Sequence, residues 1–204
     1  TAVDLWVSDN STALSTYGEI NAWDVSLITD MSDLFKERST FNEDISNWDV
    51  SSVTNMNVMF YNAANFNQDL SGWNVSSVIE MQSMFSHATS FNGDISTWDV
   101  SSVTNMQFMF KEASSFNQDL SGWNVSSVTI MTSMFINATS FNGDISTWHI
   151  SSVTNMNGMF YQATSFNQDL SSWDVSSVTD MYCMFYNATN FNQDLSGGTF
   201  TISN

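Results

Sequence analysis

Phe-Asn recurs at Phe41, Phe66, Phe91, Phe116, Phe141, Phe166 and Phe191, each 25 residues after the last, with no insertion anywhere. The copies share the pattern FNxD[IL]SxW[DN]VSSVTxMxxMFxxATS. Thr16 to Thr40 is a degenerate copy in which Ile20, Trp23, Val25, Ile28, Met31, Leu34 and Phe35 keep the apolar positions. A unit of 25 residues cannot bury its own apolar face, so successive copies must stack and share one core. Strict spacing implies one turn per copy. With 8 Trp, 16 Phe and 13 Met among 204 residues, the chain has the apolar content to fold despite its charge. The absence of Pro suits a backbone whose N–H groups are needed between turns.

Spacing within the unit suggests the shape of each turn. Leu70, Trp73, Val75 and Val78 follow the L-x-x-L-x-L spacing of leucine-rich repeats, which predicts a short strand from Trp73 to Val75. Met81, Met84, Phe85 and Ala88 then fall at i, i+3, i+4 and i+7, predicting a short helical segment that Thr54 or Asn55 and their equivalents would cap. The expected fold is a right-handed leucine-rich-repeat-like α/β solenoid, with one short parallel strand and one short helical segment per 25-residue turn. Residues 1–15, with Ala2, Leu5 and Trp6 on one helical face, are expected as an N-terminal helical cap. Residues 16–190 make seven repeats, and 191–204, where Gly198 stands in place of Trp, a partial repeat and C-terminal cap.

On the W[DN]VSSVTxMxxMF core, the units resemble the BspA-like leucine-rich-repeat family of surface proteins in its Met- and Trp-rich branch, over roughly residues 16 to 197. The opening AVDLW…TYGEINAWDVS also looks like the start of that domain. The resemblance implies a secreted or cell-surface protein used in adhesion or partner recognition.

Charge narrows the partners. Asp and Glu number 21 against Lys36, Arg38 and Lys111, a formal net charge of −18. Nucleic acid and anionic membrane surfaces are disfavoured, and no apolar run approaches the roughly 20 residues that span a bilayer. Cations, neutral glycans and basic proteins remain, beside the plain reading that acidity keeps an aromatic-rich chain soluble. Cys183 stands alone, so no intramolecular disulfide forms. Asn10, Asn74, Asn124, Asn137 and Asn187 head Asn-x-Ser/Thr sequons, pointing to glycosylation and an extracellular or cell-surface setting. The lack of a signal peptide is read as a mature form or a piece of a longer protein.

In a stacked repeat each position becomes a column. The Trp column from Trp23 to Trp173 and the Phe column from Phe41 to Phe166 read as core, with Met in the gaps, rather than as an exposed sugar-binding stripe. The Asn column from Asn42 to Asn167 reads as a buried ladder satisfying backbone groups at a corner. Asp44, Asp69, Asp94, Asp119, Asp144 and Asp169 would repel one another unless given donors or cations. Turn-forming hydrogen bonds would supply the first and calcium bridging the second. Asp24, Asp49, Asn74, Asp99, Asn124, His149 and Asp174, between inward Trp and Val, are expected to face outward with a Ser column, as a polar acidic strip able to bind a ligand.

A solvated face is the plain alternative for that strip. The Ser-Val-Thr row at Ser52 to Thr54 and its equivalents suggests ordered water and ice binding, but Ile79 interrupts it. His149 with Ser151 and Asp174 has the letters of a nucleophilic triad, yet Ser151 is merely its column's usual residue, and no phosphate loop or zinc spacing occurs. The expected function is a non-enzymatic adhesion or recognition module that requires no cofactor. Its partner would be a protein or glycan on another surface, or a further copy end to end. A structural spacer or fibre unit and a calcium-binding solenoid are the alternatives.

Overall fold

The computed structural model describes residues 1–196 together with Thr199 and Phe200. Gly198 and residues 201–204, on which much of the expected C-terminal cap falls, lie outside them. Among the described residues regular helix is confined to the start. Helix α1 (Ala2–Ser8) begins with a reciprocal cap in which Thr1 Oγ1 accepts the Asp4 N–H while Asp4 accepts from the Thr1 ammonium. Asp9 ends α1 and caps α2 (Asn10–Tyr17), accepting from Thr12 N–H at 3.1 Å. Val3, Trp6 and Ala13 are buried, while Ala2 and Leu5 are only half-buried. Trp6 meets Trp23 edge-on at 5.6 Å, and Arg38 pairs with Asp4, so the two helices lie against the first copies of the repeat.

Beyond a 3₁₀ turn at Ile20–Ala22, each copy is a rung of consecutive β-turns. The expected α/β solenoid is not what forms. Residues 73–75 are not a strand, and the parallel pairing reduces to isolated single-residue bridges running from Asp30 through Asn55, Glu80, Asn105, Ile130 and Asn155 to Asp180. The reason lies in side chains that capture amides. Asn74 Oδ1 accepts the N–H of Ser76 at 3.2 Å, and Val78 N–H returns to Val75 C=O, which turns the chain where a strand would run on.

The expected helical segment at Met81 to Ala88 is likewise a run of turns. In the preceding copy Met56, Val58, Phe60 and Asn62 donate to the next rung's carbonyls at Glu80, Gln82, Met84 and Ser86, at 2.8–2.9 Å. Met59, Tyr61 and Ala63 instead donate back three residues within the rung. A helix would close all these bonds on itself and leave adjacent rungs unlinked along this segment. The alternating scheme needs left-handed backbone twice per rung, at φ 52° for Val58 and 56° for Asn62 and at equivalent positions along the chain.

Inside the stack the Trp residues from Trp48 to Trp173 are at most 3% exposed. Their Nε1–H groups donate at 2.7–3.1 Å to backbone carbonyls of the preceding rung, from Ile20 to Ile145, so the indoles bury no unpaired donor. Indoles stack rung on rung with centroids 6.3–6.5 Å apart. Phe60 stacks on Phe85 at 5.4 Å and on Phe66 of its own rung at 4.1 Å, a pattern repeated along the core.

A second, coarser period overlies the first. Gln68, Gly93, Gln118, Gly143 and Gln168 alternate at one position. Gln68 Nε2–H and Gln118 Nε2–H reach the carbonyls of Asn42 and Asn92 at 2.7 and 2.8 Å. A Cβ on Gly93 or Gly143 would sit 2.0 or 1.9 Å from the carbonyl oxygen of Gln68 or Gln118. Only glycine permits that approach, and beside it Leu70 and Leu120 N–H donate to Asp94 and Asp144 C=O at 3.2 and 3.1 Å. At this edge the rungs therefore close up in pairs.

Candidate functional site

Every member of the polar strip, Asp24, Asp49, Asn74, Asp99, Asn124, His149 and Asp174, is exposed. Except at His149, Oδ1 of each accepts the backbone N–H of the Ser two residues on, at 3.0–3.2 Å. The Ser26, Ser51, Ser101 and Ser176 hydroxyls, and next their amides, hold the Asp24, Asp49, Asp99 and Asp174 carboxyls below the usual range. At His149 the backbone turns in the same way, with Val153 N–H donating to Ile150 C=O at 2.8 Å, but no such side-chain bond is made among the described residues. Around His149 lies a hollow of about 480 Å³ lined by Ser146, Thr147, Ser151, Ser172 and Asp174. Among the described residues no hydrogen bond joins His149, Ser151 and Asp174.

Asp44, Asp69, Asp94, Asp119, Asp144 and Asp169 accept in the same way from Ser46, Ser71, Ser96, Ser121, Ser146 and Ser171, at 2.8–2.9 Å. Each carboxylate thus finds its donor within its own turn. Among the described residues no three His, Cys, Asp or Glu side chains gather where they could hold a metal ion.

The Asn column ties rung to rung: Asn67 N–H donates to Asn42 Oδ1 at 2.8 Å, and Asn92, Asn117, Asn142 and Asn167 continue the chain at 2.7–2.8 Å. These side chains were expected to be buried. Asn42 to Asn142 are exposed, since their work is done at the rim. Thr54, Thr129, Thr154 and Thr179 cap no helix; each Oγ1–H donates to the Thr carbonyl of the preceding rung at 3.1–3.2 Å. Of the sequon residues, Asn10, Asn74, Asn124 and Asn187 are exposed. Asn137 is half-buried, with an Oδ1 that has no partner among the described residues.

The surface that sequence reasoning passed over lies on the turns between Met and Phe. Five columns there differ most widely in residue type from copy to copy; the column of Val58 reads Asp33, Val58, Ser83, Phe108, Ser133, Gly158 and Cys183. This side carries Lys36, Lys111, His87 and four of the five tyrosines, Tyr61, Tyr161, Tyr182 and Tyr186. Lys111 Nζ lies 5.7 Å over the Phe108 ring, and Tyr61 meets His87 edge-on at 5.4 Å. His87 Nδ1 is 3.0 Å from Glu112 Oε2, and Tyr161 stacks on Tyr186 at 4.8 Å. Variation among copies was the available signal. It was masked by the expectation that these residues formed the back of a helix.

Among the described residues no helix is long and apolar enough to cross a membrane. No curated protein matches the chain. A family model described as "Mycoplasma protein of unknown function, DUF285" matches residues 6–123 and again 114–204. With both spans together covering all but the first few residues, the chain belongs to the DUF285 repeat family.

Proposed function

We propose that this chain is a non-enzymatic recognition module displayed outside the cell, of the kind its resemblance to BspA-like surface proteins implies. One observation carries the reading: residues change most widely from copy to copy on one half-buried side, where hydrogen bonds between rungs already fix the backbone. A frame of that design holds side chains in place without being altered by their identity, and Tyr there is a contact-forming type that the Asp-Asn-Ser strip lacks. The strip and the Asp column add a broad anionic field that favours basic or neutral partners over anionic ones.

The test is to present the labelled chain to an array of neutral glycans and proteins, beside a variant with Tyr61, Lys111 and Tyr161 changed to Ser. Selective binding that the variant loses, with its melting profile kept, is the expected result. Binding to nothing on the array by a folded chain would favour a spacer, and equal binding by the variant would move recognition off this side.

A further inference from the structure

Resting on the recognition reading, we infer that the row of single-residue bridges is a binding surface for a linear neutral polysaccharide of β-linked hexoses, laid along the axis of the stack. In the middle of the molecule the row passes through Asn105, Ile130 and Asn155, at the edge of the variable side. Asn105 Oδ1 accepts the Gln107 N–H and Asn155 Oδ1 the Asn157 N–H, each at 2.9 Å; Thr132 Oγ1–H also donates to Asn155 Oδ1 at 2.9 Å. These bonds orient both amides through their oxygens and leave the nitrogens over. Neither Nδ2 has a hydrogen-bond partner among the described residues, and both reach solvent.

Beside this row run Asn57, Gln82, Gln107 and Thr132, one to a rung and half-buried like Asn105 and Asn155. Asn57 is oriented in its turn by the Gln82 N–H, which its Oδ1 accepts at 2.8 Å. Side chains held in this way lose little freedom when a ligand settles on them. Amides and hydroxyls both donate and accept, as sugar hydroxyls do. Half-buried Ile130, and Ile79 at 45% exposure, offer the apolar contact that the C–H faces of a sugar ring need.

The arrangement returns every second rung. Asn55 stands two rungs before Asn105 and makes the same turn, its Oδ1 accepting the Asn57 N–H at 3.0 Å, although its side-chain amide also serves Asp30. Glu80 and Ile130 occupy the rungs between. Hydrogen-bonded rungs lie about 4.8 Å apart. An extended chain of β-1,4-linked hexoses advances by about one rung height per sugar and turns over at each step. Like edges of the polymer therefore recur every second rung, as the Asn residues do. With a net charge of −18 and no Lys, Arg or His in either column, polyanionic glycans are repelled and neutral ones are not. From Asn55 to Asn157 the two columns also hold no Trp, Tyr or Arg to anchor a protein.

The probes are hexamers of β-1,4-linked glucose and of β-1,4-linked mannose, titrated calorimetrically against the full chain beside their dimers and a hexamer of α-1,4-linked glucose. At least one β-linked hexamer is expected to bind, its dimer about 10-fold more weakly for want of one or two hydrogen bonds, and the coiled α-linked hexamer not measurably. Asn105→Asp with Asn155→Asp keeps each Oδ1 for its turn and removes both outward donors; Glu80 already places an acid in this column. The double variant should melt as the parent does and bind about 5- to 150-fold more weakly, the loss of two hydrogen bonds. Asp49→Asn with Asp99→Asn, on the polar strip, should leave affinity nearly unchanged.

Binding of neither β-linked hexamer by the intact chain, or equal binding by the Asn105→Asp, Asn155→Asp variant, would overturn the site. So would equal affinity for dimer and hexamer, equal affinity for the α-linked hexamer, or a loss in the strip variant. If the hexamers fail while the array above shows selective binding of proteins, only this site falls; if both are silent, the recognition reading falls with it.

Discussion

Adding one methyl group at Gly93 should cost more than almost any other single change at the rim of the stack. The new Cβ of Gly93→Ala would lie 2.0 Å from the Gln68 carbonyl oxygen and 3.0 Å from its carbon, both of them backbone. Neither can rotate away, so the two rungs must part by more than about 1 Å to restore ordinary contact. Parting stretches the Leu70 N–H bond to Asp94 C=O, already 3.2 Å, and opens the packing of Phe91, which lies 3.1 Å from the same Cβ. Overpacking of this kind costs about 1–3 kcal/mol, and a weakened hydrogen bond adds about 1. The stiffer unfolded chain returns roughly 0.4–1 kcal/mol, leaving a net loss of about 1–3.5.

Gly72→Ala supplies the control, because its Cβ would meet only Ser46 C=O at 3.7 Å, an ordinary contact. Urea unfolding followed by tryptophan fluorescence should place Gly93→Ala well below the parent midpoint and Gly72→Ala at or slightly above it. Hydrogen exchange should show the Leu70 amide deprotected in the first variant alone. Equal midpoints for the two would refute the reasoning about paired rungs.

Replacing Trp98 by Phe keeps a ring in the stack but removes the Nε1–H that reaches Leu70 C=O at 2.9 Å, and should cost about 1–3 kcal/mol in the same urea assay. Val58 is a β-branched residue held at φ 52° where Gly158 stands in a later copy, so Val58→Gly should be neutral or stabilising by up to about 1 kcal/mol as a shift of the melting midpoint. Gly158→Val, by contrast, should destabilise, its Cβ falling 3.0 Å from Ser133 Oγ. Asp44, Asp49, Asp94, Asp99, Asp169 and Asp174 are all held below the ordinary 3.8 by hydrogen bonds from Ser. Their contribution is therefore complete above that value and is lost as pH falls through the lowered ones; circular dichroism against pH should be flat from neutral to about pH 5 and fall below about pH 4.

The repeat register and the inward columns were legible because burial every 25 residues leaves a periodic mark: Trp98, Val100, Met106 and Phe110 are each 2% exposed or less. The local backbone was not. Overlapping turns closed from Met84 N–H to Met81 C=O and from Ala88 to Phe85 reproduce the three- and four-residue spacing of a helix. What separates the two is the left-handed backbone at Ser83 and His87, φ 55° and 60°, and the same positions hold Val58 and Phe108, residue types that give no hint of it. Trp73, Asn74 and Val75 do alternate in and out as a strand would, but Asn74 takes the Ser76 amide a ladder would have needed. The polar strip was visible for its uniform chemistry. The variable turns were hidden by the element assigned to them.

Hydrogen bonds between rungs point along the axis on which the copies pile up, and each rung grips only its neighbours. Tension applied along that axis would load one interface at a time instead of sharing the force across the whole molecule. Because every copy has the same length, each yielding rung would pay out 25 residues, roughly 80 Å of thread, and stretching a single molecule would trace evenly spaced teeth.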